Sequence, residues 1–125
     1  MKLAMTLSGE NEMIVPIIEG DIIRLYDVET GERQDFENPA TQFQTGKRGA
    51  VIRWLNERNI NLLCAPPKML CDLSYEAAQK EEFVYYRVQP GTSFSELKQL
   101  IDNHGLEITT ELSANEIEPS NVPQG

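Results

Sequence analysis

The feature that most restricts this chain is a change of hydrophobic pattern near its middle. The first forty-odd residues carry only short apolar runs separated by turn residues, whereas the remainder alternates helical spacing with short apolar runs. Lys2–Leu7 alternates weakly and stops at the loop signal Ser8-Gly9-Glu10-Asn11, so it reads as a strand. Met13–Ile18 is apolar but interrupted by Pro16, which has no N–H for a ladder and predicts an edge or irregular crossing. Ile22–Val28 and Glu32–Phe36 flank Glu29-Thr30-Gly31 and predict a hairpin whose glycine takes positive φ. After the breaker-rich stretch from Asn38 to Gly46, a helix is expected at about 48–58. There Val51 and either Trp54 or Leu55 turn inward while Arg53, Asn56 and Glu57 face water.

Ile60–Ala65, bounded by Pro66-Pro67, is too short for a helix and reads as a buried strand. A second helix is expected at 68–81, with Pro67 at its first position and Leu70, Leu73 and Ala77 on one stripe. Phe83–Val88 is β-branched and aromatic, hence a strand. Ser93-x-x-Glu96 forms a capping box ahead of the stripe Phe94, Leu97, Leu100 and Ile101, and Gly105 stops that third helix. Residues 106–110 offer a further short strand. The order β-β-β-α-β-α-β-α predicts an α/β domain of three layers, with a mixed five-stranded sheet and three helices.

At 125 residues the chain has room for one domain. Eleven Lys and Arg stand against twenty acids, and the longest basic run is Lys47-Arg48, which opposes nucleic-acid binding. No apolar run approaches the ~20 residues of a membrane span, and no secretory signal precedes Ser8-Gly9-Glu10. Two cysteines make no disulfide framework, so a reducing, cytoplasmic setting is expected. Residues 111–125 hold three acids, two prolines and no Lys or Arg, which predicts a disordered acidic tail behind a domain of residues 1–110.

The residues that carry candidate chemistry are few. Cys64 ends a predicted strand and Cys71 falls in about the first turn of the next helix, where a helix N-terminus favours the thiolate that ligates soft metals. Their spacing matches no CxxC motif, and the competing reading is two small buried apolar side chains. Lys68 is either an anion partner at that helix N-terminus or a solvated lysine. The single histidine, His104, suits the C-terminal carbonyls of its helix better than a metal. Met5, Met13 and Met69 read as core, and Asp21, Asp27 and Asp35 as a polar face around the hairpin.

Several of these segments together resemble the nitrogenase iron-molybdenum cofactor biosynthesis and carrier family, the NifX-like domain with a ribonuclease-H-like fold. The resemblance rests on Lys2-Leu3-Ala4 in the opening strand, Leu25-Tyr26-Asp27-Val28, the Glu29-Thr30-Gly31 turn and Glu37-Asn38-Pro39. It continues through Trp54-Leu55, the strand Ile60–Ala65 and Gly91-Thr92, and runs from about Met1 to His104. Members commonly carry a Pro-His-Phe-Gly-Arg-like segment where this chain has Pro16-Ile17-Ile18-Glu19-Gly20. They often have a Gly-Gly turn where this chain has Ala65-Pro66-Pro67.

The family's strand order places the first strand beside the Ile60–Ala65 strand, with a crevice at their carboxyl ends. The resemblance then implies a cofactor site lined by Ser8, Gly9, Asn11, Cys64 and Lys68, with Cys64 and Cys71 as metal ligands. It implies a non-catalytic carrier that holds an iron-molybdenum or iron-sulfur cofactor during assembly, a monomer or weak dimer that works with cofactor-assembly proteins. The alternative is a degenerate member that binds no cofactor and acts through protein contacts at an apolar Pro16–Ile18 patch. Catalysis fits less well: the first strand has no carboxylate for a nuclease metal site, and no base is placed near Cys64.

Overall fold

The computed structural model of the chain describes residues 1–105 and 107–119. In order the elements are β1 Lys2–Ser8, β2 Met13–Ile14, β3 Ile22–Asp27, β4 Arg33–Glu37, α1 Lys47–Glu57, β5 Leu62–Ala65, α2 Asp72–Lys80, β6 Val84–Arg87 and α3 Phe94–His104. The sheet runs β4-β3-β1-β5-β6, with β2 also paired to β1. β1, β3 and β4 form an antiparallel meander, while β5 and β6 run parallel to β1. The α/β class stands as expected. The mixed sheet has six strands rather than five, because Met13–Ile14 makes a short antiparallel pairing before Pro16 ends it.

Both faces of the sheet are covered, which explains why β1 alternates so weakly: a strand buried on two sides needs apolar residues at every position. Ala4, Ile23, Leu25, Leu63 and Tyr85 pack with Val51 and Leu55 of α1 and Ala78 of α2. Leu3, Met5, Leu7, Leu62, Cys64 and Tyr86 pack with Phe94 and Leu97 of α3. Between the two residues expected to face the sheet, Leu55 is the buried one. Trp54 lies half-exposed, edge-on to Phe36 with the ring centroids 5.1 Å apart and the Arg58 guanidinium 3.7 Å above its own.

Two expectations are corrected. α2 begins at Asp72, not near Lys68, because Lys68 takes a left-handed conformation (φ 66°) and the capping residue is Cys71. Its inward stripe is accordingly Ser74 and Ala78, and Leu73 is 47% exposed. The segment 107–119 is also not a free tail over its described part. Thr109 pairs with Tyr85 of β6 through two backbone hydrogen bonds of 2.8 and 2.9 Å, Leu112 enters the core at 7% exposure, and Ile117 packs against it. Leu112 and Ile117 form no helical or strand period, so their docking has no signature in the pattern. The expectation of disorder for 120–125 lies outside the described residues, as does Leu106 of the expected strand at 106–110.

Candidate functional site

The crevice inferred from strand order exists in outline: β1 and β5 are parallel neighbours, paired at Ala4 and Leu63. Its upper part is filled by β2. Leu7 pairs with Ile22 of β3 on one edge and therefore with Ile14 of β2 on the other, the edge that β5 shares. Ile14 is buried and donates its N–H to the Thr92 carbonyl at 2.9 Å, and the Phe94 N–H donates to the Glu12 carbonyl at 2.9 Å. The loop after β1 is thus stitched to the start of α3.

The end of β1 and that loop hold three of the expected binding residues. Ser8 is half-buried, while Gly9 and Asn11 are exposed on a tight turn closed by the Glu12 N–H to Gly9 carbonyl bond at 3.2 Å. Gly9 has φ 76°, which a glycine adopts without strain. Below the turn lies a residue that the sequence did not single out. Arg24, 3% exposed, donates from Nη2 to the Glu12 carboxylate at 2.7 Å and from Nε and Nη2 to Asp35 at 2.7 and 2.8 Å. The hydrogen bonds from Arg24 hold both carboxyl groups below the usual carboxylate range, and those from Asp35 and Glu12 raise the guanidinium. The available signal was an arginine in mid-strand, in a stretch otherwise too apolar to face water. Asp35, read as part of a polar face, is its partner.

At the end of β5 the expectations fare differently. Cys64 is fully buried among Leu3, Met5 and Phe94, not exposed in the crevice. Burial pushes its thiol up, away from thiolate. Pro66 to Cys71 also separate it along the chain from the start of α2, the helix whose N-terminus was expected to favour its thiolate. Cys71 is the α2 N-cap, not a residue one turn inside: its N–H donates to Ser74 Oγ at 2.9 Å and its Sγ accepts from the Ser74 N–H at 3.5 Å. The thiol therefore serves the helix start. Among the described residues no group of three or more His, Cys, Asp or Glu is placed to hold a metal ion.

Lys68 is exposed, and it is engaged by the C-terminal segment. Its N–H donates to the Glu116 carbonyl at 2.8 Å and its ammonium lies 3.4 Å from the Glu118 carboxylate. His104 is exposed at the end of α3, where Gly105 closes the helix through its N–H to the Ile101 carbonyl at 2.8 Å. A cleft of ≈ 640 Å³ separates the C-terminal half of α3 from residues 107–116 and has Tyr86, Arg87 and Val88 as its floor. His104, Glu107 and Glu116 reach it from the sides. Ile17, at the family's histidine position, is wholly buried, and the Asn38 side chain donates to the Ile17 and Gly20 carbonyls at 2.8 and 2.9 Å. The Pro16–Ile18 patch therefore shrinks to Ile18, 46% exposed, because the segment folds its middle residue inward.

No family model and no curated protein matches the sequence. Solved structures do share the fold. The apo form of the orange protein from Desulfovibrio gigas superposes with a TM-score of 0.69 at 12% identity, over 86% of this chain and 92% of its own. A NifB-type protein from Thermotoga, assigned to the DUF35 family, superposes with a TM-score of 0.60 at 17% identity, over 90% and 96%.

Proposed function

We propose that this protein is a non-catalytic carrier that holds an anionic metal–sulfur cofactor or its precursor at the carboxyl ends of β1 and β5. The observation that carries the reading is the shared fold over most of the chain with two proteins whose descriptions point toward a bound group. One is described in an apo form, hence as a protein that takes up a further group, and the other is a NifB-type protein. The strand order, with β3 antiparallel at the head of a parallel β1-β5-β6 set, supports the ribonuclease-H-like assignment that the NifX-like resemblance implies.

The donor set suits an anion held by charge and hydrogen bonds better than a cluster ligated by thiolate. Ser8, Gly9 and Asn11 offer hydroxyl, amide and backbone groups on an exposed turn, and Lys68 offers an exposed cation. Cys64, buried and held as a thiol, does not fit the ligand role, and Cys71 already caps α2. An iron-molybdenum or iron-sulfur group is the cargo in this reading, and cofactor-assembly proteins are the partners. The protein's own part is to bind and shield it, with no reaction step.

Anaerobic incubation with iron-molybdenum cofactor or iron-sulfur species, then gel filtration and metal analysis, tests the proposal. Metal should co-elute with the wild type and with Cys64→Ala, and its retention should fall at least tenfold in Asn11→Asp/Lys68→Glu. Loss of metal in Cys64→Ala with the fold intact would restore thiolate ligation. No retention by the wild type would leave the protein-contact alternative as the better account.

A further inference from the structure

We propose that residues 113–118 are an acidic strap that competes, from within the chain, for the cations and amides at the carboxyl ends of β5 and β6. The strap must be displaced before an anionic group can use them. This inference rests on the carrier reading above and adds its regulation.

Three observations support it. The strap lies along the β5–α2 connection as an added strand would: Lys68 N–H donates to the Glu116 carbonyl, Asp72 N–H to the Glu118 carbonyl, and Glu118 N–H to the Leu70 carbonyl, at 2.8, 3.2 and 3.0 Å. In open α/β sheets this is where ligands settle. Second, the strap's carboxylates already sit on the cations there: Glu116 on Arg87 at 2.8 Å and Glu118 on Lys68 at 3.4 Å. An incoming anion would exchange one ion pair for another and leave no charge stranded. Third, Ser113, Asn115 and Glu116 wall the ≈ 640 Å³ cleft, so lifting the strap joins that cleft to the Lys68 loop.

The strap is also built to move without unfolding the domain. Its root is fixed by Leu112, whose side chain is buried and whose N–H donates to the Tyr75 hydroxyl at 3.0 Å, so the apolar contact that displacement gives up is that of the half-buried Ile117. Its ion pairs lie at the surface, with the cations Lys68 and Arg87 at 62% and 49% exposure and the carboxylates of Glu118 and Glu116 at 37% and 20%, and surface pairs hold weakly.

The test compares four full-length or near full-length proteins: wild type, Glu116→Gln/Glu118→Gln, a chain ended after Ser113 that keeps Leu112, and Glu81→Gln/Glu82→Gln as a control of equal charge change. Each is titrated anaerobically with tetrathiomolybdate, a molybdenum–sulfur anion, and bound metal is measured after ultrafiltration. The strap double variant and the shortened chain should bind at least tenfold more tightly than wild type, and the control should match wild type. Adding the probe to wild type should speed hydrogen exchange at the Lys68 and Asp72 amides. Equal affinity in all four proteins overturns the strap while leaving the carrier reading in place. Weaker binding by both strap variants also overturns it, since the strap would then be part of the site. No binding by any of the four removes the carrier reading, and this inference with it.

Discussion

The loops that follow β1 and β5 stand side by side at the carboxyl end of the sheet, yet they are held by opposite means. The turn after β1 is fastened from beneath by Arg24, a buried cation that grips Glu12 and, across the strand pair, Asp35. The loop after β5 is fastened from outside by the strap, through backbone hydrogen bonds and exposed ion pairs. A buried charge requires its partners, because the cost of leaving it alone is high. Exposed pairs lose little when they open. One loop is therefore a fixed wall and the other a movable one.

Removing the whole strap with its root should break this comparison most severely. A chain ended at Thr110 loses Leu112 from the core, at about 2–5 kcal/mol for such a side chain, so the melting temperature should drop by roughly 10 °C or more in calorimetry. An unchanged melting temperature would mean that the segment does not dock. Arg24→Met ranks next. Its two carboxylate partners are each 39% exposed, so the cost should fall below the full buried-pair penalty, at about 2–3 kcal/mol by urea denaturation, with faster hydrogen exchange at the Phe94 amide that holds the loop.

Acid sharpens the contrast further. Glu12 and Asp35 have carboxyl groups held below their ordinary values, so their contribution is complete above those values and is lost as pH falls through the lowered ones. Stability should decline as pH drops below about 4, and Arg24→Met should show a shallower decline. The smallest effect belongs to the strap's charges: Glu116→Gln and Glu118→Gln should each change stability by less than about 1 kcal/mol. A larger loss in either would make the strap a structural clamp and not a movable one.

Much of the fold could be read from the chain because it is encoded locally. The hairpin around Gly31 forms where it was expected, with φ 80° at that glycine, and the Ser93–Glu96 capping box opens α3 as its spacing requires. The start of α2 was misplaced because Pro67 is a sound first helical residue in general, while the deciding fact is the left-handed Lys68. The candidate site was legible only by halves. Ser8 ends β1 and Gly9 and Asn11 lie on the turn their composition announces, whereas Cys64 was put in the open crevice when its side chain is buried in the layer under α3, with Leu7, Ile14 and Phe94. In a strand covered on both faces, sequence cannot tell which face a given residue takes.

By itself, then, the sequence determined the α/β order, the hairpin turn, the caps of α3 and the acidic composition, since each depends on residue type or on neighbours within a few residues. Only the tertiary structure decided that β2 fills the space between β1 and β5, that Cys64 is a core thiol, that Arg24 lies under Glu12, and that the acidic segment folds back onto Lys68 and Arg87. The physical reason is common to all four. Each joins residues far apart in the chain, and their energies depend on burial and on partners that exist only once the sheet has closed.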